Sequence, residues 1–288
     1  MSAPTDSAWR LEVRHTTGYR YESDVSASYN EVRLSPIRTP RQWVMEHRID
    51  VFPNARLSRF EDYWGSVMHA FDLHRSHREL TVVATSHVET LGSIPAGPAD
   101  PVSWSALADP QIQDEWCEFL MPTAYTEADD AIGDLAEVIR RESEPAAAVV
   151  VAEALVRDRL TYFRGATNVA TTAAEALAQG AGVCQDFVHI TLAALRRAGI
   201  PCRYASGYLA PSAGGAIGET IAGESHAWLE AWVGDWVAID PTNGEPVGPD
   251  HVLVARGRDY ADVPPLRGVY NGGTAEALDV QVEVTRRA

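Results

Sequence analysis

The chain has 288 residues, 45% hydrophobic and 22% charged, which is enough for one large or two medium domains with a sizeable buried core. A formal net charge of -16 excludes the basic surface that sequence-independent nucleic-acid binding needs, and argues against an anionic membrane as partner. The first residues have neither a basic nor an apolar leader pattern, and no apolar run approaches the roughly 18 residues of a membrane span, so the expectation is a soluble, cytoplasmic protein.

From Trp9 to about Thr90 the pattern has period two. Leu11, Val13 and His15 alternate, and 81–88 is rich in β-branched residues. Thr17-Gly18, Pro36, Pro40, Pro53-Asn54 and Trp64-Gly65 read as turns. This predicts an all-β region, a sandwich or half-barrel. Its histidines are His15, His47, His69, His74, His77 and His87. No cysteine or carboxylate is arranged with them in a metal pattern, so they read as strand histidines. Residues 91–103 carry three prolines and two glycines and read as a linker, dividing the chain into 1–100 and 101–288.

The period then becomes helical. Ser105 or Asp109-Pro110 can start a helix, Ile132, Leu135, Ala136, Val138 and Ile139 are apolar residues at helical spacing, and Pro145 opens a helix to Leu160. Thr172 and Glu175 have capping-box spacing before a short helix ending at Gly180. A further helix begins at Cys184 and stops at Gly199-Ile200-Pro201. Strands return at Cys202–Leu209 and Ala227–Trp232. Gly234-Asp235 turns into Trp236–Asp240, and Leu278, Val280, Val282 and Val284 alternate at the end. Residues 211–223 and 256–273 read as loops.

The chemistry centres on Cys184. Of the three cysteines, Cys117 and Cys202 read as ordinary thiols in a helix and a strand, and the number is too small and odd for a disulfide framework. Cys184 follows Gly180-Ala181-Gly182-Val183 and opens a helix, whose unpaired N–H groups and dipole favour a thiolate. The hairpin turning at Gly234-Asp235 brings His226 and Asp240 to one open end, where the carboxylate can orient the imidazole and the imidazole can take the thiol proton. Asp186 and His189 read as structural hydrogen-bonding groups. Trp228, Trp232 and Trp236 read as sheet packing, with an acceptor channel as the alternative. No P-loop, dinucleotide fingerprint or zinc spacing is present, so neither a metal nor another cofactor is expected.

Gly182–Phe187, then Ser225-His226-Ala227-Trp228, then Trp236–Gly244, resemble the bacterial transglutaminase-like superfamily. So do Gly257–Pro265 and, in the N-terminal region, Tyr29–Pro36 and Asp62-Tyr63-Trp64-Gly65. One departure is Ser66, where asparagine is expected. The resemblance implies an α+β protein: an N-terminal all-β domain before a papain-like transglutaminase core. It implies Cys184 as nucleophile, His226 as general base and acid, and Asp240 as orienter. Tyr162 and Gln185 are candidates for a second oxyanion donor, and Asn243 for bracing Asp240. The implied activity is acyl transfer on amide bonds of a peptide or protein substrate through a thioester, ending in hydrolysis. The alternatives are glutamine γ-glutamyl transfer (cross-linking) and a peptide-binding module without turnover.

Overall fold

The N-terminal region is built on one strand, β1 (Trp9–Ser35). The structure is a computed structural model and describes residues 8–92, 98, 100–210 and 216–288. Most of the predicted linker's centre, and residues 211–215, therefore lie outside the described residues. After β1 come β2 (Gln42–Phe52), β3 (Ser58–Glu61), β4 (Val67–Leu73) and β5 (His77–Thr90). β4 and β5 pair antiparallel with β1, β2 with β5, and β3 with β4. Leu11, Val13 and His15 all point inward, as their alternation predicts.

Thr17-Gly18 is not a turn; β1 runs straight through it. A Cβ at Gly18 would sit 2.3 Å from the Leu80 carbonyl oxygen. The glycine marks a place where two strands approach closely, and sequence cannot tell this from a turn glycine.

The helical block consists of α1 (Trp104–Leu107), α2 (Pro110–Glu115), α3 (Cys117–Leu120), α4 (Asp130–Arg140) and α5 (Pro145–Arg159). Ser103, Asp109 and Asp129 cap α1, α2 and α4 through their side chains. Then follow β6 (Thr161–Tyr162), α6 (Ala173–Gln179), β7 (Ala181–Gly182) and α7 (Cys184–Ala198). The capping box at Thr172 and Glu175 forms in full. α7 is the core helix: all its residues except Cys184 and Arg197 are buried, against α4, α5, α6 and the sheet.

The remaining strands are β8 (Cys202–Leu209), β9 (Thr220–Trp232), β10 (Trp236–Ile239), β11 (His251–Gly257), β12 (Leu266–Gly272) and β13 (Ala275–Arg286). Two predicted loops are partly strand. Thr220–Gly223 extends β9 backward to pair with β13. Residues 256–273 hold the end of β11, a 3-10 turn at Tyr260–Asp262, and β12. β12 escapes a sequence reading because it is exposed almost throughout and has no apolar alternation; its backbone pairs with β1 from Val32 to Val25. Both C-terminal strands, β12 and β13, pair with β1, so one sheet continues from the N-terminal strands to β9, β8 and β11. The fold is α+β. No helix among the described residues is long and apolar enough to cross a membrane.

The two regions also share a small core of Ile37, Val67, Ala205, Trp228, Val247 and Leu253. Polar bonds reinforce it. Gln42 accepts from the Leu253 N–H at 2.8 Å and donates to the Leu253 carbonyl at 2.7 Å. Thr90 donates to the Pro249 carbonyl at 2.5 Å. Ser66, the departure noted above, is fully buried and accepts from the Arg256 N–H at 3.3 Å, so it ties the N-terminal region to β11.

Candidate active site

Cys184 is half-buried at the first position of α7, where its N–H has no intrahelical acceptor. Val183 before it has no polar side chain to cap the helix. Asp186 does that work, accepting from the Val183 N–H at 2.7 Å and the Thr167 hydroxyl at 2.6 Å. The Asp186 carboxylate occupies the space over Gly182, where a Cβ would fall 2.6 Å from Oδ2. Gly182 is therefore a steric condition for this helix start, and Asp186 is a structural group. His189 is too: its Nε2 accepts from the Tyr260 N–H at 3.2 Å, and burial with nearby Arg196 lowers its pKa to about 3, so it is neutral.

The β9–β10 hairpin turns where expected, with Trp232 opposite Trp236 and Leu229 opposite Ile239. Continuing that register puts Asp240 two positions from His226 on one face of the hairpin. His226 Nε2 lies 2.7 Å from Asp240 Oδ2, and both side chains are buried. The other ring nitrogen is left for Cys184, the second hydrogen-bond partner of His226. Burial opposes charge on His226, but hydrogen bonds to Asp240 and Cys184 outweigh it and raise the pKa to about 10. Burial likewise opposes charge on Asp240, yet His226 and His251 hold it far below the ordinary carboxylate range. The structure thus brings Cys184, His226 and Asp240 together.

Asn243 donates to Asp240 Oδ2 at 2.8 Å, and the Thr242 N–H donates to Oδ1 at 3.0 Å, so the turn after β10 grips the carboxylate. The two oxyanion candidates differ. Gln185 is buried, and its amide is spent on the Val169 carbonyl at 3.2 Å. Tyr162 is 43% exposed and close enough to Cys184 to feel its charge. Its hydroxyl accepts from Arg164, which leaves the phenolic proton to donate.

Sequence reasoning missed His251. It opens β11, is buried, and places Nε2 3.5 Å from Asp240 Oδ2 and Nδ1 2.8 Å from Asp250 Oδ1. Burial disfavours its charge, while Asp240 and then Asp250 raise its pKa. The adjacent pair Asp250-His251, on the strand following Asp240, was the available signal. Among the described residues, His226, Asp240 and His251 form the one group whose donor atoms, all within 4.8 Å, could ligate a metal. The same atoms already make the His226–Asp240 hydrogen bond, so holding a metal and orienting the base exclude each other.

Trp232 and Trp236 belong elsewhere. Their rings lie 5.4 and 5.3 Å from Trp116, and Arg203 stacks over Trp236 at 3.9 Å. They pack the far end of the hairpin, about 20 Å along β9 from His226 at ~3.3 Å per residue. Trp228 is buried in the core shared by the two regions.

Residues 11–89 match the family model of the bacterial transglutaminase-like N-terminal region, and residues 134–241 match that of the transglutaminase-like superfamily. An uncharacterised protein of Mycobacterium leprae is 45% identical over 280 residues, covering 97% of this chain and 100% of the relative. One of Mycobacterium tuberculosis is 34% identical over 304 residues, covering 99% and 95%. The solved structure of a candidate cysteine protease from Cytophaga hutchinsonii shares the fold, with a TM-score of 0.75 at 20% identity over 96% of this chain and 90% of that one.

Proposed function

This chain belongs to the transglutaminase-like superfamily, and from that premise we propose that it is a cysteine-dependent acyl-transfer enzyme acting on amide bonds of peptides or proteins, with water as acceptor. The observation that carries the reading is the His226–Asp240 bond of 2.7 Å beside a cysteine that opens a buried helix.

The steps follow from the groups present. His226 takes the proton of the Cys184 thiol, and the Asp240 carboxylate stabilises the imidazolium that forms. The thiolate attacks the amide carbonyl carbon. The resulting oxyanion takes the Cys184 N–H, with Tyr162 as second donor. His226 protonates the leaving amine, the C–N bond breaks, and a thioester remains on Cys184. His226 then removes a proton from water, which attacks the thioester and frees the acid and the thiol. Hydrolysis is favoured over transfer to an amine because Trp232 and Trp236 are committed to packing around Trp116 and Trp228 is buried in the shared core, which supports no tryptophan-lined acceptor channel.

The cysteines themselves provide the test. Cys117 is exposed, Cys184 half-buried and Cys202 buried. By access alone iodoacetamide should modify Cys117 first. At pH 6–7 we expect Cys184 to react first, located by peptide mass spectrometry. If Cys117 outpaces it, the activated thiol is absent and the reading fails. Turnover of a peptide library must also stop in Cys184→Ala.

A further inference from the structure

Beyond the shared sheet, the N-terminal region reaches the catalytic centre through side-chain bonds to one strand. Gln42 and Thr90 bond to Leu253 and Pro249, and Ser66 to Arg256. All three contacts fall on β11 or the residues just before it, and His251 stands between Pro249 and Leu253. β8 holds the other side of the strand, with His251 opposite Leu209 and Val252 opposite Tyr208. His251 is thus fixed by two elements, and its free end reaches Asp240.

The ring's hydrogen-bond pattern gives it a defined task. The Gly248 N–H points at Nδ1 from 3.3 Å, and Asp250 Oδ1 lies 2.8 Å from the same atom. In the neutral tautomer with the hydrogen on Nε2, Nδ1 accepts from the Gly248 N–H. When the ring is charged, Nδ1 donates to Asp250 and Nε2 still carries a hydrogen. In both states Nε2–H faces Asp240. The groups around it are Asp240, Asp250, the Trp228 ring edge at 5.3 Å and the His226 ring at 6.0 Å. A cavity of about 280 Å³ between the two regions, with Arg41, Glu230 and Arg256 on its walls, borders the ring.

We propose that His251 is a positioning residue, holding the Asp240 carboxylate against His226, and that the N-terminal β-region acts on the site by holding the strand that carries it. This rests on the acyl-transfer reading above. It gives the N-terminal region a function in the chemistry beyond capping the core. It also explains the polar character of the clasp: side-chain hydrogen bonds to the strand's backbone fix its position, and a misplacement of about 1 Å is enough to weaken a positioned base.

The test uses iodoacetamide alkylation of Cys184 in the full chain, followed against pH, and needs no substrate. The cavity beside His251 leaves room for His251→Met, which has no donor, and His251→Gln, which keeps an N–H. We expect about tenfold slower alkylation in His251→Met near pH 6.5, with the profile displaced toward higher pH as one unit of titration would give. His251→Gln should regain most of the rate. Gln42→Ala should slow alkylation in the wild-type background and add little in His251→Met, since both act through one contact. Equal rates in His251→Met and the wild type overturn the proposal, as does a His251→Gln variant as slow as His251→Met. Additive losses overturn the role of the N-terminal clasp. Should His251→Met not fold, ¹⁵N-histidine spectra of the wild type decide: a His251 ring lacking its Nε2 hydrogen overturns the proposal. If instead wild-type Cys184 reacts no faster than Cys117, the acyl-transfer reading itself has failed, which is a different result.

Discussion

The secluded histidines of the N-terminal region and the histidine of the catalytic site reach opposite charge states. In the N-terminal region His47 bonds to Ser35 Oγ at 2.6 Å and Ser86 Oγ at 2.9 Å, and His15 to Tyr208 at 3.0 Å. Burial pushes both pKa values down to about 4, so both rings are neutral. In the core, His226 is equally secluded and its pKa rises to about 10. The difference is one carboxylate. Ser35 and His47 have the outward form of a nucleophile and a base, but without an anion beside it the ring has no reason to hold a proton. Burial alone makes a structural histidine; burial against Asp240 makes a charged one.

Removing that carboxylate charge should make the core resemble the N-terminal region. Asp240→Asn should cost on the order of 10⁴-fold in turnover, the loss seen when a triad acid is neutralised. Alkylation of Cys184 should fall to the rate of an ordinary thiol. A loss of less than tenfold would mean that Asp240 does not distinguish His226 from His47. The oxyanion pair comes next in size. Tyr162→Phe should lower the rate constant about 10²-fold, while Gln185→Ala, which loses a bond to Val169, should stay within a few-fold. Equal losses would leave Tyr162 without a special role.

The pH dependence sharpens the same contrast, and the sign differs between regions. His226 has a raised folded pKa, so its contribution to stability is complete below about 6.5 and disappears as pH climbs through about 10. His15 and His47 have depressed values, so their contribution is present above about 6.5 and disappears as pH falls through about 4. Melting temperatures measured across pH should therefore fall on both flanks. The alkaline limb of activity should lie well above pH 6.5, because the leaving amine needs the imidazolium. An alkaline limb near pH 6.5 would mean that the ion pair does not form.

How far these features could be read from sequence depends on how local their causes are. Cys184 at a helix start needs only Gly182 before it and an apolar pattern after it. His226 and Asp240 meet through a hairpin whose register is set by a turn at Gly234-Asp235, so counting residues brings them together. His251 meets Asp240 by a different route. Its position comes from β11 pairing with β8 and from Gln42, 211 residues away from Leu253. No spacing records such a contact. Gly18 reads as a turn because turn glycines and close-approach glycines have the same letter, and β12 is invisible because an exposed strand need not alternate. Ser66 is far along the chain from Cys184, His226 and Asp240, yet it is bonded to the strand that carries His251.

The smallest expected effect is the strictest check on the comparison. His47→Leu removes a buried ring with two serine partners from a region that, on this view, performs no chemistry of its own. Stranding Ser35 and Ser86 should cost about 1–2 kcal/mol at pH 8, read by denaturant titration. The variant no longer has a histidine there that must stay neutral in the fold, so it should lose less stability than the wild type as pH falls from 6.5 to 4. The two stability curves should converge on the acid side. Turnover per folded molecule should be unchanged, because His47 bonds to serines of β1 and β5 and does not touch the Gln42, Ser66 and Thr90 contacts that hold β11. A large loss of turnover without loss of fold would show that the N-terminal histidines do take part in the chemistry, and the division between neutral structural rings and a charged catalytic one would fail.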